Sequence, residues 1–185
     1  MSESGSQMAR KPAMRGGRSP RKALLLFLFT AWLPSVAPAA TVILVRHADR
    51  SSAMSADALL SPAGEDRARQ LSEVLKDAKV QRIYVTEVRR TQQTAEPIAA
   101  RLHLKPIVIA HKDIDALVNQ LRAADDDETI LVVGHADTVP LIVNRLGAGP
   151  VRPIGDTEYD RLTVLFVGTG GKAHAVTLRY GKVEP

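Results

Sequence analysis

The sequence predicts an α/β domain with three layers, in which a mostly parallel sheet lies between two layers of helices and ends in an antiparallel edge. Two observations support this prediction. Short apolar runs typical of buried strands alternate with segments whose apolar residues recur every three or four positions, as in amphipathic helices. The last two apolar runs instead flank a glycine-rich segment, Gly168–Gly171, which is typical of a hairpin. The predicted order is therefore βαβαβαβα followed by ββ.

The first strand is predicted in the stretch Thr41–Arg50, which reads TVILVRHADR. Its apolar run, Val42–Val45, continues directly into Arg46 and His47, and Asp49 follows two positions later. Ligands of open α/β sheets bind at the carboxyl ends of the strands. The stretch therefore places a cation, an imidazole and a carboxylate where a binding site is expected. Taken alone, Arg46 and His47 are equally consistent with an ordinary surface loop. Whether they form a binding site depends on the residues at the later strand-to-helix junctions.

The remaining elements follow from local signals. Ser61 as N-cap and Pro62 at the first helical position predict the start of the first helix, which should run to about Asp77. Further strands are predicted at Arg82–Thr86, Pro106–Ala110, Thr129–Val133, Arg161–Val167 and Ala173–Tyr180. A second helix should end near Leu102. A third helix is marked by the apolar residues Ile114, Leu117, Val118 and Leu121, and a fourth should run from Pro140 to the stop signal Gly147–Pro150. The junctions at 46–50, 86–90 and 134–138 should then share one end of the sheet.

The N-terminal segment has the composition of a secretory signal peptide. Six basic residues between Arg10 and Lys22 precede the apolar run Ala23–Leu33, and Ala37-Pro-Ala39 supplies the small residues of a cleavage site. We therefore predict a signal peptide at 1–39, one domain at 40–185, and export to the periplasm or the medium after cleavage near Ala39. A retained membrane anchor is the alternative, although about 20 apolar residues are needed to span a bilayer.

Composition excludes several classes of protein. Six of the 25 Lys and Arg and one of the 20 Asp and Glu lie in residues 1–39, so the mature chain carries 19 of each. This neutral balance and the aromatic content of 4% argue against nucleic-acid binding. The absence of cysteine excludes disulfides and thiolate chemistry. The histidines show no H-x-H or H-x-x-x-H spacing, so the sequence predicts no metal and no cofactor.

Two arginines and two histidines follow three of the predicted strands and should meet at one edge of the sheet. They are Arg46, His47, Arg90 and His135. Guanidinium groups beside imidazoles form a cationic pocket that suits a tetrahedral dianion such as phosphate. The segments between these residues are used by strands and helices and leave no room for a cap. We therefore expect an open pocket whose substrate is a phosphorylated small molecule, a glycolipid or a protein.

Four motifs resemble those of the histidine phosphatase superfamily, which has the phosphoglycerate-mutase-like fold. They are Arg46-His47 at the first strand end, Leu60-Ser-Pro-Ala-Gly64 through Ala68, Thr86 through Arg90, Gln93, Thr94 and Ala95, and Gly134-His135 with Thr138-Val-Pro140. The segment Arg46–Asp49, RHAD, is also similar to the RHGD of the small phosphohistidine phosphatases. The resemblance covers essentially all of residues 41–180.

The resemblance implies a phosphatase that forms a phosphohistidine on His47 and binds the phosphoryl oxygens with Arg46, Arg90 and His135. It leaves the general acid open. The candidates are Asp49 after the nucleophile, Asp113 and Asp115 in the third junction loop, and Asp137 close to the second histidine. Each of these carboxylates can equally be a helix cap or an ordinary loop residue. Because no acid is assigned, a non-catalytic phosphate-binding or regulatory module of the same fold is the alternative function.

Overall fold

Six strands are present in the computed structural model, which describes residues 39–52, 55, 57–168 and 172–182. The strands are β1 (Ala39–Arg46), β2 (Arg82–Val85), β3 (Ile107–Val108), β4 (Thr129–Gly134), β5 (Arg161–Gly168) and β6 (Ala173–Arg179). The helices are α1 (Pro62–Val74), α2 (Arg89–Leu102), α3 (Ile114–Arg122) and α4 (Thr138–Val143), and a π-helical turn at Asn144–Ala148 follows α4.

The sheet has the order β3-β2-β4-β1-β5-β6. Strands β1 to β4 run parallel to one another, whereas β5 pairs antiparallel with β1 and β6 antiparallel with β5. The predicted α/β fold with a mostly parallel sheet and an antiparallel edge is confirmed. Since β1 and β4 are neighbours at the centre, the loops that follow them are adjacent.

The continuous apolar runs are explained by burial of both faces of the sheet. Val42 and Leu44 of β1 belong to one core cluster, and Ile43 and Val45 belong to the other. Alternate side chains of a strand point to opposite faces, so this division follows from the period of two. The first cluster includes Leu121 of α3 and Ile142 of α4, and the second includes Leu71 of α1 and Ile98 of α2. The central strands are therefore packed between helices on both faces.

Several predicted element boundaries differ from those observed. Helix α1 starts as expected, with the Ser61 hydroxyl accepting the N–H of Gly64 at 3.1 Å, but it ends at Val74 instead of Asp77. Helix α4 begins at Thr138, before Pro140, because the Asp137 carboxylate accepts the N–H of Thr138 and caps the helix there. Pro140 is tolerated in the first turn of α4, because the backbone N–H that proline lacks would have no hydrogen-bond partner within the helix at that position.

Strand β3 is shorter than predicted and forms one edge of the sheet. It spans only Ile107 and Val108, both exposed, because it pairs with β2 alone. The predicted signal peptide, 1–39, lies outside the described residues except for Ala39, where β1 begins. Of the predicted hairpin turn, only Gly168 is described. Among the described residues, none of the helices has the length and apolarity needed to traverse a bilayer.

Candidate active site

The register of the two central strands brings two histidines together. In the parallel ladder of β1 and β4, Arg46 lies opposite Gly134, and the next residue, His47, donates its N–H to the Gly134 carbonyl at 2.9 Å. The rings of His47 and His135 consequently lie edge to face, with centroids 5.4 Å apart. A Cβ on Gly134 would lie 2.9 Å from Oγ1 of Thr138, which explains the glycine of this turn.

His47 is buried and held in one tautomer. Its Nδ1 lies 2.8 Å from the carbonyl oxygen of Ala48, and since a carbonyl only accepts, Nδ1 carries the hydrogen. Burial lowers the pKa of His47 to about 3, and the charges of Arg90, His135 and Arg46 act in the same direction. The imidazole is therefore neutral at neutral pH, with an unprotonated Nε2. That atom is a nucleophile without further activation.

The backbone beyond His47 is fixed by the start of α2. The N–H of Ala48 donates to Oγ1 of Thr94 at 2.9 Å, and the same hydroxyl donates to the carbonyl of Arg90 at 2.7 Å. Gln93 accepts the N–H of Leu60 through Oε1 at 3.0 Å. These contacts explain why glutamine and threonine follow the arginine in the motif. They tie the loop of the predicted nucleophile to the helix that carries Arg90.

The start of α1 packs closely against the same loop. The carbonyl of Asp49 accepts the N–H of Ser61 at 2.9 Å. A Cβ on Gly64 would lie 2.1 Å from that carbonyl oxygen, so only glycine fits at this point of the helix. The motif glycine is thus a packing requirement of the loop behind His47.

Arg90 and His135 form a hydrogen-bonded pair. Arg90 donates from Nη2 to Nδ1 of His135 at 3.3 Å, and Nε2 of the same ring lies 3.0 Å from Oγ1 of Thr86. Because a guanidinium only donates, Nδ1 accepts and Nε2 carries the hydrogen. Burial lowers the pKa of His135 to about 4, and the charges of His111 and Arg90 contribute. The site therefore holds two neutral imidazoles beside cationic guanidinium groups.

Arg46 is oriented by a loop that follows α4. Its Nη1 donates to the carbonyls of Gly155 at 2.7 Å, Asp156 at 2.9 Å and Glu158 at 3.1 Å. The guanidinium lies over the ring of Tyr159, 4.1 Å from the centroid. Its buried Nε has no hydrogen-bond partner among the described residues. A buried N–H without a partner is costly, and an oxyanion would satisfy it.

The loop that holds Arg46 is itself held by ion pairs of Glu158. Its carboxylate pairs with Arg152 at 2.9 Å, Arg161 at 2.8 Å and Arg179 at 2.9 Å. Burial raises the pKa of Glu158, but the hydrogen bonds from Arg161 and from the Gly155 N–H outweigh it and lower the pKa to about 2. The carboxylate is therefore ionised throughout the neutral range and keeps the loop in place.

The four aspartates predicted as acid candidates lie in different surroundings. Asp49 forms an ion pair at 2.7 Å with Arg67, whose side chain is only 3% exposed. Asp115 lies in the first turn of α3, not in the preceding loop as predicted, and pairs with Arg145. Asp113 is exposed at the N-cap position of α3.

Asp137 is the candidate whose side chain reaches a group beside the site. Its Oδ1 accepts the N–H of Thr138 at 2.9 Å, and its Oδ2 lies 3.3 Å from Nε2 of His111. The ring of His111 in turn lies 4.3 Å from that of His135. The structure thus brings together Arg46, His47, Arg90 and His135. Asp137 is connected to this group through His111.

Sequence reasoning missed several neighbours of the site. Tyr159 contacts Arg46 and lies 5.9 Å from the His47 ring, and His111 packs on His135. Burial lowers the pKa of Arg46 and Arg90, and the nearby charge of Arg50 lowers both further, so a third arginine is close to the pocket. Only Arg50 had a local signal, since it directly follows the RHAD motif. Within 39–52, 55, 57–168 and 172–182, no group of three or more metal-ligating side chains is found.

The fold with this site matches that of solved phosphatases. The protein histidine phosphatase SixA, in complex with tungstate, is similar with a TM-score of 0.64 and 22% identity over 75% of this chain and 96% of its own. The alpha-ribazole phosphatase from Shigella flexneri has a TM-score of 0.63 and 16% identity over 78% of this chain and 100% of its own. The mycobacterial glucosyl-3-phosphoglycerate phosphatase has a TM-score of 0.60 and 17% identity over 77% of this chain and 99% of its own. These likenesses confirm the phosphoglycerate-mutase-like fold.

A family model identifies the class within that fold. Residues 42–112, which contain Arg46, His47 and Arg90, match the histidine phosphatase superfamily (branch 1). The resemblance drawn from the motifs is confirmed over these residues, which are similar to the histidine phosphatase superfamily. The enzyme class that the family and the fold together define is a phosphatase. Among curated proteins, no sequence matches the chain.

Proposed function

We propose that the chain is an exported, metal-independent phosphatase that hydrolyses phosphomonoesters or phosphohistidine through a covalent phosphohistidine on His47. The observation that carries the proposal is the state of that side chain. A neutral imidazole, with Nδ1–H bound to the Ala48 carbonyl, directs its free Nε2 lone pair away from its own backbone. It is surrounded by Arg46, Arg90 and His135. This arrangement combines a nucleophile with donors for a phosphoryl group.

In the first step, Nε2 of His47 attacks phosphorus, the bond from phosphorus to the leaving oxygen breaks, and the leaving group departs with a proton. Arg46 and Arg90 bind the equatorial oxygens and stabilise the charge of the transferring group, and His135 joins them when its Nε2–H turns from Thr86 Oγ1 to a phosphoryl oxygen. In the second step, water attacks phosphorus and the P–N bond breaks. Inorganic phosphate then leaves, and His47 is restored. Three positively charged or hydrogen-bonding partners supply the charge stabilisation that a metal supplies elsewhere.

The substrate class is supported by the named similar structures. Their names are protein histidine phosphatase, alpha-ribazole phosphatase and glucosyl-3-phosphoglycerate phosphatase, and a phosphatase acts on a phosphorylated substrate. A phosphorylated small molecule, glycolipid or protein is therefore proposed for this chain as well. Export is supported by the basic, apolar and small-residue regions of 1–39.

The test is release of inorganic phosphate from p-nitrophenyl phosphate in the presence of EDTA. Wild type should turn over, and His47→Ala should lose at least about 1,000-fold in kcat/KM, because nucleophile removal abolishes the covalent route. His174→Ala, an exposed position on β6, is the matched control and should behave as wild type. Equal rates for wild type and His47→Ala would contradict the proposal. Phosphate binding without turnover in wild type would instead support the non-catalytic module.

A further inference from the structure

The leaving oxygen of an alkyl phosphate needs a proton, and the carboxylates near the site are poorly suited to give one. Asp49 is paired with Arg67, and Asp115 with Arg145. Burial raises the pKa of Glu87, but hydrogen bonds from backbone N–H groups outweigh it and the pKa is lowered overall. An ionised carboxylate has no proton to donate. Asp113, the remaining predicted candidate in the loop before α3, is exposed at the N-cap position of that helix, whereas His111 contacts the His135 ring directly.

His111, in the loop between β3 and α3, has the position that such a donor requires. Its ring lies 4.3 Å from that of His135, which is proposed to bind the phosphoryl group. Its side chain is 37% exposed, so both solvent and a bound substrate can reach it. Imidazole is the side chain whose ordinary chemistry both gives and takes a proton between pH 5 and 8.

Two acidic side chains from neighbouring turns hold His111 in place. Glu87, in the turn after β2, accepts the backbone N–H of His111 through Oε2 at 2.7 Å. Asp137, in the turn after β4, lies 3.3 Å from Nε2 of the ring. With Nε2–H directed to this carboxylate, Nδ1 is the nitrogen left to exchange a proton with the substrate. A carboxylate on one imidazole nitrogen orients the ring and stabilises the imidazolium, as in other acid–base pairs.

We propose that His111 is the general acid of this enzyme and that Asp137 is its positioning residue, an inference that rests on the function proposed above. As the phosphorus–oxygen bond breaks, Nδ1–H of the His111 imidazolium gives its proton to the leaving oxygen and the alcohol departs. The now neutral ring takes a proton from the water that attacks the phosphohistidine. Phosphate leaves, and the imidazolium is regenerated. Asp137 is engaged through Oδ1 with the Thr138 N–H and through Oδ2 with His111, so it acts through the ring.

The experiment measures kcat/KM for a series of aryl phosphates, from p-nitrophenyl phosphate to phenyl phosphate, with wild type, His111→Gln, Asp137→Asn and His47→Ala. A good leaving group such as p-nitrophenolate needs no proton, whereas phenolate needs one. His111→Gln should therefore retain p-nitrophenyl phosphate activity within about threefold and lose about 100-fold or more on phenyl phosphate. Retained activity on the first substrate also establishes that the variant is folded. His174→Gln, on exposed β6, is the matched control.

Asp137→Asn should show the same selective loss, smaller in size, because asparagine still caps α4 but no longer pairs with an imidazolium. A general folding defect would lower kcat/KM for both substrates by the same factor. Equal dependence on leaving group in wild type and His111→Gln overturns the proposal and leaves the phosphatase intact. Selective loss in Asp137→Asn with none in His111→Gln also overturns it and makes Asp137 the acid. Unchanged turnover in His47→Ala overturns the proposed function itself.

Discussion

The Nδ1 hydrogen of His47 is donated to the carbonyl oxygen of the next residue, Ala48, at 2.8 Å. This contact is available because Thr94 holds the backbone of Ala48 from the other side. It selects one of the two ring nitrogens for chemistry. The tautomer of the proposed nucleophile is thus set by the carbonyl of the adjacent residue.

The first prediction concerns which nitrogen is phosphorylated. Denaturing the enzyme with its substrate in alkaline detergent, followed by digestion and NMR of the phosphopeptide at alkaline pH, should yield phosphohistidine modified only at Nε2 of His47. The reason is that Nδ1 is occupied by the Ala48 carbonyl. Phosphate at Nδ1, or on His135 in place of His47, would contradict the assigned tautomer. The variant His47→Ala should yield no phosphopeptide.

The second prediction concerns stability in acid. The folded-state pKa of His47 is lowered to about 3 and that of His135 to about 4, both mainly by burial. The unfolded chain binds these protons near pH 6.5, so the stabilisation is complete above that pH and is lost as pH falls toward the folded values. As pH falls from 7 to 5, each of the two histidines should lower the free energy of unfolding by about 1–2 kcal/mol.

Urea unfolding at the two pH values, in phosphate-free buffer, measures this loss. His47→Gln should show a shallower pH dependence than wild type, by about one histidine's share, because glutamine does not titrate. The exposed His174→Gln serves as control and should keep the wild-type slope. A slope in His47→Gln as steep as that of wild type would mean that His47 is not buried in its neutral form.

The third prediction assigns Asp49 to folding. Asp49→Asn should lower the free energy of unfolding by about 3 kcal/mol, because it removes the ion pair between Asp49 and the buried Arg67 side chain. The kcat/KM of the folded fraction should change by less than about threefold. Asp66→Asn, which removes an exposed pair with Arg69, should cost no more than about 0.5 kcal/mol. Lost catalysis with unchanged stability would instead identify Asp49 as the acid.

The fourth prediction tests the ring beneath Arg46. Tyr159→Leu removes the stacking surface 4.1 Å from the guanidinium and should weaken vanadate inhibition by about 2- to 30-fold, as expected for about 0.5–2 kcal/mol of cation–π energy. Tyr159→Phe keeps the ring and should stay within about twofold of wild type. An equal weakening of vanadate inhibition in both variants would mean that the Tyr159 hydroxyl, not its ring, supports vanadate binding.

The fifth prediction concerns export. Protein recovered from the producing cells should begin at Ala40 by N-terminal sequencing, since Ala37-Pro-Ala39 is the small-residue site that signal peptidases cleave. Ala37→Tyr should block processing and leave the precursor associated with membranes. A wild-type chain that still begins at Met1 would argue for a retained segment.

Much of the fold and the centre of the site could be predicted from the sequence. Val42–Val45, followed directly by Arg46 and His47, marked a buried strand with chemistry at its end. Parallel strands end at the same edge of a sheet, so Arg90 and His135 were expected beside the first pair. Boundaries were less accurate where a side chain decides them, as at the Asp137 cap of α4.

The sequence by itself therefore determined the layers, the strand ends and the four residues that meet there, because periodicity and strand termini are local properties. Only the tertiary structure decided that Tyr159 lies over Arg46, that His111 packs on His135 and that Asp49 pairs with Arg67. Each of these contacts joins loops or elements distant in the chain. Their packing depends on the whole domain and leaves no periodic pattern in the sequence.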